Sequence, residues 1–356
     1  MVGAIVVRRG RVVAEDWHRR AGGGHAEAAA LDRAGARARG ADLYVSLEPC
    51  VHVGRTPPCA PRIVESGIAR VFVAARDPNP LVAGRGIRAL QQAGLEVVEA
   101  GAPLRRAAER QNEKFRTWIA RGRPFVLAKW AATLDGKIAT ASRESRWITG
   151  REARRRALLL REEYDAVLVG ARTVEADDPL LTRRLGKAGR RPHRRIVLDS
   201  RLRAPASARL FRNPEGLRVV TALSPDHARA RRLAARGVAV WSLKGRGGGV
   251  DLPRLLARLA AEEVTGLLVE GGAETLWGFF RAGLVDRVAV FFAPRVFGGR
   301  DAPGGVGGAG FPLDRAVRVA DIEHERLGAD WLVTGRIAPR SVAGTGPAGL
   351  HPPQSK

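Results

Sequence analysis

Leu47-Glu48-Pro49-Cys50-Val51-His52-Val53-Gly54-Arg55-Thr56-Pro57-Pro58-Cys59 carries the only two cysteines of a 356-residue chain, each directly after a proline. Upstream, His25-Ala26-Glu27 opens an alanine-rich stretch, His25–Ala38, suited to a helix. Two thiolates and one imidazole fill three of the four tetrahedral positions of Zn²⁺ and leave one for water, whose pKa the metal lowers to about 7. A carboxylate beside that water, not bound to the metal, takes its proton and delivers it to a leaving group. Glu27 is placed for that role, with His25, Cys50 and Cys59 as ligands. A lone His-x-Glu is more often a surface histidine, and isolated cysteines are more often core residues. All three pieces in order, with the prolines in place, point to zinc.

Outward from this stretch the chain alternates strand-like and helix-like segments. Val2–Val7, Asp42–Leu47, Ile68–Ala74 and Leu95–Val98 read as strands, and Arg9-Gly10 as a turn into Arg11–Glu15. Ala60–Ser66, Gly84–Ala93 and an Arg-rich pattern over Pro103–Ile119 read as helices. Arg121-Gly122-Arg123-Pro124 breaks that pattern, so a first domain is expected over 1–121. A second alternating series follows, with strands expected at Phe125–Trp130, Ala166–Val169, Arg195–Leu198, Leu217–Thr221, Val238–Trp241, Gly266–Val269 and Arg287–Phe292. This is a second α/β domain over 122–337. Gly298–Gly310 reads as a mobile glycine-rich loop, and 338–356 as a disordered tail.

Hydrophobic residues make up 45% and charged residues 27%, an ordinary globular balance. No apolar run reaches the length of a membrane span, and no secretion signal is visible, so the expected compartment is the cytoplasm. Two cysteines exclude a disulfide scaffold. The net charge of +25 rests on 61 Lys+Arg, only six of them lysine. Such an excess raises nucleic acid as a partner. It is spread along the chain rather than gathered in a tail or one helix, which favours an arginine-rich composition and no nucleic-acid partner.

Zinc nucleobase deaminases pair H-x-E with P-C-x-x-C, and the cysteine spacing here is longer. The full Leu47–Cys59 string, together with Asp77-Pro78-Asn79-Pro80-Leu81-Val82-Ala83-Gly84-Arg85-Gly86, resembles the deaminase half of the bifunctional riboflavin-biosynthesis deaminase/reductase family. The resemblance implies a cytidine-deaminase-like α/β/α sandwich with His25, Cys50 and Cys59 on zinc and Glu27 as proton shuttle. It places His52 and Arg55 near a pyrimidine substrate. Asp77 and Asn79 are pocket or loop-ordering residues, or simply an Asx-rich turn.

The second half continues the resemblance through Lys129–Lys137, Ser145–Gly150, Gly170–Thr182, Arg195–Ser200 and Leu267–Leu276. It implies a dihydrofolate-reductase-like α/β domain that uses NADPH. Glu270-Gly271-Gly272 follows an apolar strand and opens a helix, where backbone N–H groups favour a pyrophosphate. The family pattern sets NADPH against Ala132, Trp147, Thr173, Asp177, Ser200 and the turn Gly272-Ala273-Glu274-Thr275-Leu276-Trp277-Gly278. It sets the substrate against Ser145, Arg161, Leu181, Arg184 and Glu270, the two arginines suiting a ribose 5-phosphate. Asp177, Glu270 and Lys129 are candidates for the reductase acid.

The implied reactions act on a phosphorylated pyrimidine. The 2-amino group of 2,5-diamino-6-ribosylamino-4(3H)-pyrimidinone 5′-phosphate is removed, and the ribosyl group is then reduced to ribityl. The family resemblance also implies a homo-oligomer, a dimer or larger, and a further helical segment ahead of Met1, so the deaminase half is expected to be N-terminally truncated. A competing reading is a zinc nucleoside or tRNA deaminase with a non-catalytic second domain. A structural zinc with His52 as a fourth ligand is a third.

Overall fold

The turn at Arg9-Gly10 has positive φ at both residues, 52° and 75°. This is the type I′ geometry whose twist suits a hairpin. It joins β1 (Gly3–Arg8) to β2 (Arg11–Trp17), antiparallel, with Arg8 opposite Arg11. The computed structural model describes residues 2–19, 22–53, 56–185 and 193–338. Arg55 and positions 339–356 of the expected tail lie outside the described residues. The chain divides into two compact units, the first ending at Phe125 and the second starting at Val126.

The first unit continues with α1 (Ala26–Ala34), β3 (Asp42–Val45), α2 (Cys59–Glu65), β4 (Arg70–Val73), α3 (Arg85–Gln92) and β5 (Glu96–Glu99). It closes with α4 (Ala102–Gln111) and α5 (Glu113–Arg121). Its sheet runs β2-β1-β3-β4-β5, with β3, β4 and β5 parallel. Strand residues point to alternate faces. Ala4, Val6, Leu43, Val45, Val71 and Val73 therefore share one face and form a single core with Ala30 and Leu31 of α1, Ile63 of α2, and Ile87 and Leu90 of α3. Fully burying one such aliphatic side chain is worth about 1.5–3 kcal/mol. The helical pattern over Pro103–Ile119 is two helices rather than one. Buried Asn112 (φ −108°, ψ 17°) ends α4 and caps α5.

The second unit takes β6 (Phe125–Thr133) from its second residue onward, then α6 (Arg151–Glu163), β7 (Ala166–Gly170), α7 (Ala171–Asp177), β8 (Arg194–Leu198) and β9 (Leu217–Thr221). It goes on with α8 (Ala228–Ala235), β10 (Ala239–Ser242), α9 (Leu252–Ala261), β11 (Gly266–Glu270), α10 (Ala273–Arg281), β12 (Arg287–Ala293), β13 (Val319–Leu327) and β14 (Asp330–Ile337). Its nine strands run β10-β9-β8-β7-β11-β6-β12-β14-β13. Strands β10, β9, β8, β7 and β11 form successive parallel pairs, while β12–β14 and β14–β13 are antiparallel. β7 is buried along its whole length, as a parallel strand covered on both faces must be. Leu255, Leu256 and Leu259 of α9 pack with Leu276 and Phe279 of α10 in one core.

Two segments depart from the sequence reading. The β13–β14 hairpin was not expected, because β13 is exposed almost throughout and shows no alternation. The glycine-rich stretch at 298–310 is tied down at several points. The Asp135 carboxylate accepts the N–H groups of Phe297 (3.2 Å) and Gly298 (2.8 Å). Ala302 O accepts from Lys137 Nζ (3.1 Å), and Gly308 N–H donates to Glu274 (3.3 Å). The Thr133 hydroxyl, then Gly298 N–H, hold the Asp135 carboxyl down at about 2.

Candidate active sites

His25 stands in extended conformation just before α1, so its ring leaves the helix end while Glu27 sits in the first turn. Pro57-Pro58 fixes the backbone ahead of α2, whose first residue is Cys59. Cys50 lies in the loop after β3. The fold brings the three side chains together. His25 Nδ1 is 3.2 Å from Cys59 Sγ and 3.4 Å from Cys50 Sγ, and the three donor atoms lie within 4.8 Å of one another. A tetrahedral zinc with ordinary Zn–S and Zn–N bonds spaces such donors about 3.5–3.8 Å apart, so this donor set fits the metal.

The two thiols are set apart electrostatically. The Cys59 backbone N–H points at Cys50 Sγ (3.4 Å). The Cys59 S–H, and after it His25, draws the Cys50 thiol down to about 4, while the same bond and burial push Cys59 up. Glu27 is 4% exposed, and burial raises its carboxyl above the ordinary range. A buried carboxyl beside the metal ligands is placed to take a proton and give it back.

Two residues here escaped the sequence reading. Thr56 Oγ1 lies 3.1 Å from His25 Nε2, so the ring nitrogen facing away from the sulfurs has a partner that fixes tautomer and orientation. Buried Glu48 accepts four backbone N–H groups, from Asp77, Gly84, Gly86 and Ile87, at 2.9–3.2 Å. It ties the loop after β4 and the start of α3 beneath Cys50. A Cβ at Gly86 would stand 2.0 Å from Pro49 O, so only glycine allows this approach. Asp77 accepts from Asn79 N–H and Asn79 from Leu81 N–H, two successive Asx turns. His52 has a buried Nδ1 with no hydrogen-bond partner among the described residues.

In the second unit a cleft of about 2000 Å³ opens at the carboxyl ends of β7, β8 and β11, where α/β sheets place ligands. Its wall includes Trp147, Thr173, Asp177, Ser200 and the turn from Gly272 to Thr275. Ser145, Arg161, Leu181, Arg184 and Glu270 also line it. Four expected cofactor residues stand off that wall. Ala132 and Leu276 are fully buried. Gly278 faces Leu252, and Trp277 packs on Phe311. Only the first turn of α10 lines the cleft, because helical rotation carries Leu276 into the core and turns Trp277 and Gly278 towards other neighbours. Gly271 and Gly272 both have φ above +70°, and a Cβ at Gly272 would press on Thr173 Oγ1 at 3.2 Å.

At the cleft floor Arg161 grips Glu270 through two bonds, Nε–H to Oε1 (3.2 Å) and Nη2–H to Oε2 (2.6 Å), and donates to Thr182 O (3.3 Å). Arg161 thus reaches the cleft with its guanidinium paired to the Glu270 carboxylate. Burial acts to raise the Glu270 carboxyl, but Arg161 and Lys129 outweigh it and hold the group below its usual range. Burial lowers the Lys129 ammonium, with Glu270 opposing. Arg184 is exposed and has no anionic side-chain partner among the described residues. Ser145 Oγ donates to Asp177 Oδ1 (3.3 Å).

Residues 1–75 match the cytidine and deoxycytidylate deaminase zinc-binding region, and 124–333 match the RibD C-terminal domain. The riboflavin biosynthesis protein RibD of Aquifex aeolicus is 43% identical over 332 residues, 93% of this chain and 90% of that protein. This chain belongs to the RibD family. The Escherichia coli RibD is 38% identical over 83% of this chain and 82% of its own length. Among solved structures, Acinetobacter baumannii RibD superposes with a TM-score of 0.81 at 34% identity, covering 95% of this chain and 92% of that one. The Thermotoga maritima diaminohydroxyphosphoribosylaminopyrimidine deaminase/5-amino-6-(5-phosphoribosylamino)uracil reductase gives 0.78 at 36% identity, with the same coverage.

The RibD family joins a deaminase and a reductase of riboflavin biosynthesis, and this chain is such a bifunctional enzyme, with zinc as the metal of its deaminase half. The match over 124–333 disfavours a non-catalytic second domain.

Proposed function

We propose that the first domain, 1–121, deaminates 2,5-diamino-6-ribosylamino-4(3H)-pyrimidinone 5′-phosphate, and that the second, 122–337, reduces the ribosyl side chain of the product to ribityl. The observation that carries this reading is the His25–Cys50–Cys59 donor set with the buried Glu27 carboxyl beside it. His25, Cys50 and Cys59 would hold zinc, which supplies an acidified water at neutral pH. Glu27 takes a proton on its carboxylate oxygen and returns it to the departing amine. Thr56 holds the His25 ring, and Glu48 holds the floor beneath Cys50.

In the second domain bound NADPH would be the source of the hydride that reduces the sugar C1′. Thr173, Ser200 and the Gly272–Thr275 turn support the cofactor. Lys129 and Glu270 are the buried titratable pair beside the reacting carbon, and Arg161 fixes the Glu270 carboxylate in place. Arg184, exposed at the cleft, receives the 5′-phosphate. Asp177 is oriented by Ser145 and by Arg146, whose Nε lies 3.5 Å away. No helix among the described residues is long and apolar enough to cross a membrane. The reading includes a cytoplasmic homo-oligomer, a dimer or larger, with no nucleic-acid partner. Ammonia release from the diaminopyrimidine by the zinc-loaded chain tests the first step, and its absence at full zinc occupancy would overturn the deaminase assignment.

A further inference from the structure

We infer that Asp135 is a positioning residue of the reductase step. Its carboxylate latches residues 297–308 as a strap along the cleft, and the place of the strap sets how tightly the cleft holds its ligands. The inference rests on the reductase reading above. Asp135 stands outside the cleft wall, so it acts only through the strap.

The latch begins where β6 ends. Thr133 N–H donates to Lys137 O (2.9 Å) and Gly136 N–H to Thr133 O (2.9 Å), with Gly136 at φ 78°. This close turn leaves Asp135 exposed at its tip. The Thr133 hydroxyl donates to Asp135 Oδ1 (2.5 Å) and orients the carboxylate. Each carboxylate oxygen then takes one N–H of two successive residues, Phe297 on Oδ1 (3.2 Å) and Gly298 on Oδ2 (2.8 Å). Gly298 and Gly299 follow at φ 62° and 82°, so the chain bends directly after the latch in a way that glycine permits.

Beyond the bend the strap forms part of the cleft wall, through residues 300–304, 307 and 308. Between 296 and 310 only Ala302 is buried, so apolar burial does little to hold the segment and a few hydrogen bonds decide its local stability. In the middle Lys137 Nζ donates to Ala302 O (3.1 Å) and Ile138 N–H to Pro303 O (2.9 Å). At the far end Gly307 N–H donates to Ala273 O (3.0 Å) and Gly308 N–H to Glu274 Oε1 (3.3 Å). Those two residues open α10, directly after the Gly271-Gly272 turn that also lines the cleft. The strap therefore runs from the turn after β6 to the start of α10. It lies flush on the wall, since a Cβ at Gly305 would stand 2.4 Å from Trp130 Nε1, and Trp130 itself lines the cleft. Releasing the Asp135 end lets the strap lift from Trp130 and widens the cleft. Segments that cover a site in this way act on how firmly it holds its ligands.

The test uses the zinc-loaded full chain and reads both reactions. In Asp135→Asn the KM for NADPH should rise roughly tenfold, the size of one charge-assisted contact. The KM for the deaminated pyrimidine should move in the same direction, with kcat for reduction changed by less than about threefold on the same scale. Ammonia release from the diaminopyrimidine is the internal control for folding and should be unchanged. Trypsin should cut after exposed Arg300 faster than in wild type, read by mass spectrometry, and saturating NADPH should slow the cut. Asp135→Glu keeps the charge and should recover most of the affinity. Gly298→Ala, strained at φ 62°, disturbs the latch from the strap side and should raise KM in the same direction. An unchanged KM in folded Asp135→Asn, with or without faster cleavage, overturns the inference. An Asp135→Asn chain that loses both reactions and unfolds early makes Asp135 a structural residue and overturns it as well, as does Gly298→Ala with wild-type KM. Wild type that fails to oxidise NADPH with the deaminated pyrimidine overturns the reductase reading instead.

Discussion

Arg161 and Glu270, 109 residues apart in sequence, meet as a two-bond ion pair at the floor of the reductase cleft, with side chains only 13% and 12% exposed. Removing one partner leaves the other charge buried. Glu270→Ala or Arg161→Ala should therefore cost about 3–5 kcal/mol of stability, read as a lowered denaturant midpoint. A loss under about 1 kcal/mol would show that water reaches the surviving charge.

The same pair sets an acid limit. The Glu270 carboxyl is held below its usual value in the folded chain. Its contribution to stability is thus complete above the ordinary glutamate range and is lost as pH falls through the folded value. Unfolding measured against pH should show Glu270→Gln flattening the acid side of the profile relative to wild type. Parallel profiles would contradict the assignment.

Thr56 acts on zinc through His25. Thr56→Val should weaken zinc binding roughly 10- to 100-fold in chelator competition, as loss of a partner to a ligating histidine does, whereas Thr56→Ser should retain it. Equal affinities in the two variants would leave Thr56 as packing only.

Glu48 satisfies four backbone N–H groups at once. Glu48→Gln turns one oxygen into an NH2 group, leaves two of these N–H groups without an acceptor, and should destabilise the first domain by about 2–3 kcal/mol. Gly86→Ala forces a methyl group against Pro49 O and should do at least as much damage. Thermal unfolding followed from the first domain decides this, and an unchanged midpoint for Gly86→Ala would contradict the close approach.

The excess of +25 should give only weak association with generic duplex DNA, abolished by moderate salt. Retention of DNA at high ionic strength, seen in a filter-binding titration, would return nucleic acid to the list of partners.

Much of this was legible in the chain itself. His25, Glu27, Cys50 and Cys59 carry their chemistry in residue type and spacing, and the strands of the second unit announce themselves as short apolar runs. The β13–β14 hairpin was silent because β13 is solvated and has no buried face. The division at Asn112 was hidden because helical periodicity runs on through it. Glu48 and Thr56 gave no signal of their own, since what they do depends on groups that only folding brings near. The pairing of Arg161 with Glu270 is likewise long-range, and it left no mark in the sequence.

The central claim is that one chain performs two ordered reactions, with Glu27 serving only the first. Oxidation of NADPH by the zinc-loaded chain measures it most directly, with the diaminopyrimidine or its deaminated product as substrate. Wild type should oxidise NADPH with either compound, and Glu27→Ala only with the deaminated one. NADPH oxidation by Glu27→Ala starting from the diaminopyrimidine, or none by wild type with the deaminated compound, would contradict the account.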